Sequence, residues 1–181
     1  YDRWDMIDSF QARYVHAYFY NNGGVTDMGM LTYPEEINDK GQVTGYFYPD
    51  ESSSNYHAFL WNDGSKTDIG SLGTGHTQAF GINDSGTVVG WSYNQEGQDV
   101  AFIWEKGVMK DLNTLIDSTS PWLLRSARAI NNKGQIVGIG DWYTYPKFAF
   151  LLTPKPLTVT KPQGGDLLIA GETDTIRWVN A

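Results

Sequence analysis

The chain has 181 residues and a formal net charge of −8 at pH 7, with no run of Lys or Arg. Nucleic-acid binding requires a basic stripe, and a membrane-spanning helix needs about 20 consecutive apolar residues, so the sequence argues against both classes. Cysteine is absent, which leaves no disulfide framework, zinc cluster or thiol nucleophile to consider.

The over-represented residues indicate β-structure. Glycine accounts for 20 positions, and aromatic residues make up 14% of the chain, with 7 Trp and 11 Tyr. Glycine at this density indicates many tight turns, and Trp and Tyr favour strands. The composition therefore predicts an all-β protein, in a chain long enough to bury a sizeable core.

Two motifs recur along the chain. The first reads HAYFYNNGG from His16, HAFLWNDGS from His57 and VAFIWEKGV from Val100, and a partial fourth copy, FAFLL, starts at Phe148. The second reads INDKGQVTG, INDSGTVVG and INNKGQIVG, and its asparagines are Asn38, Asn83 and Asn131. Both motifs share a period of about 45 residues, so the chain is built from internal repeats.

Each repeat is predicted to contain four short strands, because runs rich in β-branched and aromatic residues are bounded by Gly, Asn and Asp. In the copy that contains Asn83, the strands are expected at 78–82, 87–93, 100–104 and 108–112. The turn between the first two reads NDSG. Asn83 suits the first position of a type I turn, and Gly86 suits the positive φ that ends it with a bulge.

Four antiparallel strands at this period predict a β-propeller-like array of blades. Ala79 and Gly81 are small at alternate positions of the first strand, which suits close approach near a central axis. Phe80 and Ile82 are expected on the opposite face. A β-sandwich or β-solenoid is the alternative architecture, since short strands at regular spacing also suit a sandwich.

The number of complete repeats is small for a propeller. Two complete units fit, at about 33–72 and 78–115, with half a unit before them and three strands after them. About three to four blades are therefore expected, incomplete at both termini. Unpaired edges favour association, so we expect self-association or pairing with other parts of a longer parent chain.

The set HAFLW, DIGSLG and AFGINDSGTVVG resembles the extracellular HAF-repeat family of bacteria. The resemblance covers roughly residues 16–152, and on this basis residues 1–153 are assigned to HAF-type repeats. It implies a secreted or surface-exposed repeat protein and carries no implied activity. The third unit departs from the pattern, with DVAF in place of HAF and a longer loop in the stretch NTLIDSTSPWLLRSARA.

The tail differs in character from the repeats. Residues 154–181 begin with a Pro-punctuated linker and continue as two expected strands. They resemble the opening of the Kre9/KNH-type surface β-sandwich domain, and the matching residues are Pro162, Gly164, Gly165, Gly171, Ile176 and Trp178. This resemblance implies the truncated start of a second domain and a longer multidomain surface protein.

Aromatic residues in the loops after the second strand of each unit are the leading candidates for ligand binding. They stand among polar residues, where flat rings can stack against sugars or anchor a protein partner. The alternative is that they cap the core at the blade edge. The candidates are Tyr46, Tyr48, Trp91, Tyr93, Trp142, Tyr143 and Tyr145.

Charged residues supply two weaker hypotheses. Glu35, Glu36 and Arg128 break the repeat in first strands, and paired carboxylates can act as general acid and base on a glycoside. A salt bridge between blades explains the same residues. Asp39 and Asp84, beside the Asn turns, could hold Ca²⁺ through oxygen ligands, although the turns lack the dense carboxylates of a dedicated calcium loop. No other metal or cofactor is expected.

The sequence thus predicts a non-catalytic extracellular or cell-surface module that contacts a glycan or a surface protein through its aromatic loops. A carbohydrate-active hydrolase or lyase that uses Glu35 or Glu36 is one alternative. A structural subunit of a surface layer or filament is another, in which neighbouring chains complete the unfinished blades.

Overall fold

The computed structural model describes residues 15–143 and 145–154, together with the backbone of 158–159 and 178–179. The described part is all-β, and its one helical segment is a 3₁₀ turn at Leu112–Thr114. No helix in this part is long and apolar enough to span a bilayer.

The strands form antiparallel sheets that follow the repeats. The half unit comprises β1 (His16–Asn21) and β2 (Gly24–Met30). Unit 1 comprises β3 (Thr32–Ile37), β4 (Val43–Phe47), β5 (His57–Asn62) and β6 (Ser65–Asp68). Unit 2 comprises β7 (Thr77–Ile82), β8 (Val88–Tyr93), β9 (Asp99–Glu105) and β10 (Val108–Asp111). Unit 3 comprises β11 (Trp122–Ile130), β12 (Ile136–Trp142) and β13 (Tyr145–Leu152).

This arrangement confirms the predicted meander of four strands per unit, with two complete units, half a unit before them and three strands after them. The hydrophobic core lies between successive sheets, in three layers. Ala17 of the half unit packs with Phe59 of unit 1, Ala58 of unit 1 packs with Phe102 of unit 2, and Val89 of unit 2 belongs to the layer formed with unit 3. Unit 2 is therefore buried on both faces, as a blade inside a propeller-like array must be.

The Asn turns have the predicted geometry and also join the units. Gly86 has φ of 77°, and its N–H donates to the Asn83 carbonyl. The Asn83 side-chain oxygen accepts the N–H groups of Ser85 and Thr87. Its amide nitrogen donates to the carbonyl of Asn131 in unit 3, at 3.3 Å.

Asn38 repeats this arrangement one unit earlier, because its amide nitrogen donates to the Asn83 carbonyl at 2.8 Å. Asn38, Asn83 and Asn131 thus form an asparagine ladder across units 1 to 3. A second row runs beside it, in which the Asp39 N–H donates to the Asp84 carboxylate and the Asp84 N–H donates to the side-chain oxygen of Asn132. The ladder fixes how each sheet sits on the next.

The first strand of each unit contains a β-bulge at the same place. The pairing of β7 with β8 skips Phe80 between Ala79 and Gly81, so the expected strict alternation along this strand is wrong. Ala79 and Ile82 both lie in the core layer between units 1 and 2, whereas Phe80 is half-buried outside it. The extra residue in the bulge shifts the faces by one position, which periodicity alone does not show.

A glycine lies opposite each bulge, which explains why all three copies of the second motif end in glycine. A Cβ on Gly90 would lie 2.0 Å from the Gln78 carbonyl oxygen, and one on Gly138 would lie 2.2 Å from that of Ser126. No side chain fits at those distances. The bulge and its glycine therefore come as a pair in each unit.

In the tail, β14 (Thr158–Val159) pairs antiparallel with β15 (Trp178–Val179). The remaining tail residues of the Kre9/KNH-type resemblance lie outside the described part: Pro162, Gly164, Gly165, Gly171 and Ile176. The boundary expected at 153 and 154 stays a prediction.

Asn83→Ala should destabilise the protein by about 2–3 kcal/mol. The substitution removes the acceptor of two backbone N–H groups and the hydrogen bond to unit 3, and Asn83 is only 6% exposed, so water does not readily replace these bonds. Asn131→Ala is the matched control. Its side-chain oxygen also accepts two N–H groups, but its amide bonds within its own turn, to Gln135, and it is exposed. We expect about 1 kcal/mol for it. Urea unfolding of both variants checks this, and equal losses would contradict the ladder.

Candidate functional site

Four of the seven predicted binding aromatics come together in one surface cluster. Tyr46 lies near the end of β4 and Tyr48 directly follows this strand, whereas Trp91 and Tyr93 lie at the end of β8. Because the two sheets lie side by side, both pairs are at the same end of the stack. Trp91 and Tyr93 meet edge to face, with ring centroids 5.3 Å apart. All four rings are half-buried.

Three residues that the sequence did not single out as binding aromatics complete this cluster. Tyr33 stacks on Tyr46 at 4.8 Å with the planes 3° apart, and Tyr56 lies 5.1 Å from Tyr46 and 6.2 Å from Trp91. His76 lies 4.3 Å from Tyr56 and so joins the rings of the two units. We call the whole set the aromatic cluster: Tyr33, Tyr46, Tyr48, Tyr56, His76, Trp91 and Tyr93.

Tyr33 lies in β3 and His76 directly precedes β7, so both are outside the loops after the second strand that the prediction concerned. Tyr56 ends such a loop, between β4 and β5. Antiparallel pairing places Tyr33 directly opposite Tyr46, and this cross-strand relation was the available signal. Tyr56 precedes β5 on the same side. The cluster is therefore built from cross-strand neighbours as well as from loops.

The predicted aromatics of unit 3 form a separate group. Trp142 packs edge to face on Trp122 at 5.2 Å and on Tyr143 at 5.5 Å. Tyr143 is 71% exposed and Trp142 39%. Tyr145 begins β13, and its side chain lies outside the described part. Unit 3 thus presents its own, more exposed aromatic surface.

A cleft of about 280 Å³ opens between units 2 and 3 and is continuous with the aromatic cluster, because Trp91 and Tyr93 belong to both. We call it the inter-unit cleft, and its lining residues are Trp91, Tyr93, Asp99, Arg125, Ser126 and Arg128. Arg125 bonds through Nε to the Asp141 carboxylate at 2.8 Å.

Both arginines of the cleft are bulge residues. The pairing of β11 with β12 skips Arg125 and Arg128, whereas β3 and β7 each contain only one such irregularity. The extra bulge lies in the longer segment that distinguishes unit 3. Bulges redirect side chains, and they place both guanidinium groups at the cleft.

The structure places the candidate acid, base and partner residues at contacts between units. The Glu36 carboxylate accepts the N–H of Ile82 at 2.7 Å, and Glu35 accepts the amide of Gln78 at 2.9 Å. Because that amide nitrogen faces Glu35, the Gln78 oxygen is left to accept the indole N–H of Trp91, at 3.4 Å. Glu35 therefore orients a ring of the aromatic cluster.

Arg128 lies over the ring of Phe80, with its guanidinium carbon 4.3 Å from the ring centroid. Glu35, Phe80 and Arg128 occupy the same bulge position in units 1, 2 and 3. A salt bridge between units was one explanation for the charged members, and the described contacts are instead hydrogen bonds and this cation–π contact.

The calcium candidates Asp39 and Asp84 lie in the turns of the ladder. One Asp84 oxygen accepts the Asp39 N–H at 3.0 Å, and the other accepts the side-chain amide of Asn132 at 2.5 Å. The described residues include no group of three or more His, Asp or Glu side chains arranged to hold a metal ion. The oxygens of Asp84 thus serve contacts between turns.

The repeated histidines and aspartates pair within their units. His57 Nδ1 lies 2.7 Å from the Asp68 carboxylate, and His16 lies 3.4 Å from that of Asp27. Asp68 also accepts the N–H of Gly70. The Gly29 N–H donates to Asp27 in the same way and is the main reason that the pKa of Asp27 is lowered. In both units the aspartate therefore caps the turn that follows it.

No family model matches the chain, and no curated protein matches it. Among solved structures, the chain is similar to the Pyrococcus horikoshii acylaminoacyl peptidase, with a TM-score of 0.52 and 16% sequence identity. The match covers 78% of this chain and 22% of the peptidase, so the chain spans about a fifth of that protein. A likeness at this identity shows the fold alone. Fold and site together define an all-β repeat protein with an aromatic surface.

Burial raises the pKa of Tyr33, Tyr46 and Tyr56 above the ordinary value for tyrosine, and the neighbouring Tyr48 adds to the effect in all three. A pKa that is higher in the folded state contributes stability that is complete below about pH 10 and is lost as the pH rises through the raised value. The free energy of unfolding should therefore fall as the pH rises above about 10.

Tyr46→Phe should reduce that fall, because it removes one of the ionising groups. Urea unfolding across this pH range measures it, and Tyr20→Phe, at an exposed position outside the aromatic cluster, is the matched control. An unchanged pH dependence in Tyr46→Phe would contradict the burial argument.

Proposed function

We propose that this protein is a non-catalytic binding module of the cell surface that contacts a glycan or a surface protein through its aromatic cluster. The observation that carries the proposal is the continuity of half-exposed rings across units 1 and 2, from Tyr33 to Tyr93. The extracellular location rests on the resemblance to HAF repeats.

The chemistry of the cluster suits binding. A half-buried tyrosine or tryptophan has an apolar face that stacks on the C–H face of a sugar or on a partner's side chain, and a polar edge that keeps a hydrogen bond. Packing against neighbours holds the rings in place, so little side-chain entropy is lost when a ligand binds. The cluster therefore offers a preorganised flat surface.

The contacts of the candidate acid and base support a non-catalytic role. The carboxylate of Glu36 is engaged by a backbone N–H of the next unit, and that of Glu35 by Gln78. A general acid or base must be free to exchange its proton with a substrate. Positioning of neighbouring groups accounts for both residues without a reaction.

Tyr48→Ala should weaken binding of a glycan or surface protein by about tenfold, because an anchoring ring at a contact surface contributes about 1–2 kcal/mol. Tyr20→Ala, which removes a tyrosine that is 71% exposed outside the aromatic cluster, is the matched control. A glycan array followed by calorimetry on the positive ligands measures the effect. Binding that survives Tyr48→Ala and Trp91→Ala, with both variants folded, would contradict the proposal.

A second candidate function, a structural subunit of a surface layer or filament, is favoured by the outer face of unit 3. Val89 and Ile103 pair across β8 and β9, where Val89 is fully buried by unit 3. The corresponding pair in unit 3 is Val137 and Leu151, and these residues are 44% and 63% exposed. Within the described part, no further sheet covers them.

A second copy of this chain is the occupant we propose for that face, because it carries sheets of the same repeat. The ladder also continues towards this face. Asn131 is the unit 3 equivalent of Asn38 and Asn83, whose side-chain amides donate to the next unit. Among the described contacts, the Asn131 amide donates only to Gln135, in its own turn. Head-to-tail stacking of copies would extend both the core layers and the ladder into a ring or filament.

Leu151→Lys should shift the protein from associated species to monomer, because a charge would be buried at the joint between copies. Val108→Lys, at an apolar residue of β10 that is 53% exposed, is the matched control. Sedimentation velocity across a range of concentrations measures the change. A protein that is monomeric at every concentration would contradict the assembly function and leave the binding function in place.

A further inference from the structure

The inter-unit cleft has chemistry that the aromatic cluster alone lacks. Its floor includes Ser126, a residue only 7% exposed whose hydroxyl has no hydrogen-bond partner among the described residues. A buried hydroxyl without a partner is costly and is rare in folded proteins. Ser126 is one of the residues that line the open cleft, and its Oγ atom has almost no exposed surface. A polar ligand in the cleft can supply the missing partner when the Ser126 side chain turns towards it.

Arg128 provides the second feature. Its guanidinium is exposed, lies over Phe80, and makes no ion pair or hydrogen bond within the described residues. Arg125, the other arginine of the cleft, is paired with Asp141 through Nε at 2.8 Å, and it also donates to the Asp99 carbonyl. In a chain with a net charge of −8, a cation without a carboxylate partner at a cleft indicates an anionic ligand.

The other residues that line the cleft restrict which anions it can bind. Asp99 lines the same cleft, and the Asp141 carboxylate lies beside it on Arg125, so a group with more than one negative charge would be repelled. The Asp99 carboxylate can instead accept hydrogens from hydroxyl groups, and the Trp91 and Tyr93 rings offer faces for a sugar ring. A single carboxylate attached to a polyhydroxylated ring satisfies all of these groups together.

We propose that the inter-unit cleft binds an acidic saccharide of the uronic acid type. The sugar carboxylate pairs with Arg128, the hydroxyl groups reach Ser126 and Asp99, and the ring lies against Trp91. This inference rests on the proposed binding function and names the ligand class for it. The volume of about 280 Å³ suits one or two sugar units, with the rest of the chain running over the aromatic cluster.

Calorimetry on the full chain, with trigalacturonate and the neutral trigalactose of the same linkage, tests the proposal. The acidic trisaccharide should bind at least about tenfold more tightly than the neutral one. Arg128→Gln should remove that preference and leave the neutral trisaccharide unaffected. Lys133→Gln makes the same change of charge on an exposed turn of unit 3 outside the cleft and should change neither affinity.

Two further variants separate binding from folding. Ser126→Ala should weaken trigalacturonate binding without lowering Tm, because the lost hydroxyl has no partner in the protein; a lower Tm with unchanged binding would show a structural role and contradict the proposal. Arg128→Lys keeps the charge but loses the planar fork, and should recover only part of the affinity.

Other outcomes are also decisive. Equal binding of both trisaccharides, insensitive to Arg128→Gln, would overturn the ligand class while leaving glycan binding in place. No binding of either one would overturn this inference, and the separate array with Tyr48→Ala would then decide the proposed function. If a polyglutamate peptide binds as tightly as trigalacturonate and depends equally on Arg128, the ligand is an acidic peptide and the saccharide proposal is wrong.

Discussion

The structure depends on one hydrogen bond made twice: a side-chain amide of an asparagine in one unit donates to the carbonyl of the equivalent asparagine in the next. The same asparagine holds its own turn through two backbone N–H groups, so local and long-range structure rely on a single side chain. Hydrophobic layers drive the sheets together, but apolar contact is not directional. The ladder supplies the direction, because its bonds form only when each sheet sits at one offset on its neighbour.

That offset creates the site. Neither unit 1 nor unit 2 alone holds the whole aromatic cluster, since Tyr46 and Tyr56 belong to unit 1, Trp91 belongs to unit 2, and His76 lies in the segment that connects them. The inter-unit cleft likewise needs two sheets. Glu35 accepts a hydrogen bond from the Gln78 amide nitrogen, which leaves the Gln78 oxygen to accept the indole N–H of Trp91. A contact between the sheets therefore also orients a ring of the aromatic cluster.

Much of this architecture can be predicted from the sequence, because the patterns that indicate strands and turns are local and repeated. The four strands around Asn83, the turn with Gly86 and the incomplete first and last units all follow from periodicity and turn chemistry. The bulges do not, since one extra residue, such as Phe80, leaves the composition of a strand unchanged and is seen only when its partner strand is paired. For the same reason Arg125 and Ser126 escaped prediction, as did Tyr33, whose relation to Tyr46 runs across strands.

The bulge position has a consequence for how such a protein can change. At one equivalent place, three units carry a carboxylate, a benzyl ring and a guanidinium: Glu35, Phe80 and Arg128. A glycine on the opposite strand leaves room for the kink in the backbone, and the three side chains are exposed or half-buried, outside the core layers. The bulge position of each of the three units therefore accepts chemically different side chains on the same backbone. A substitution at this position in one unit changes the chemistry of the surface there and leaves the strands and turns of the repeat as they are.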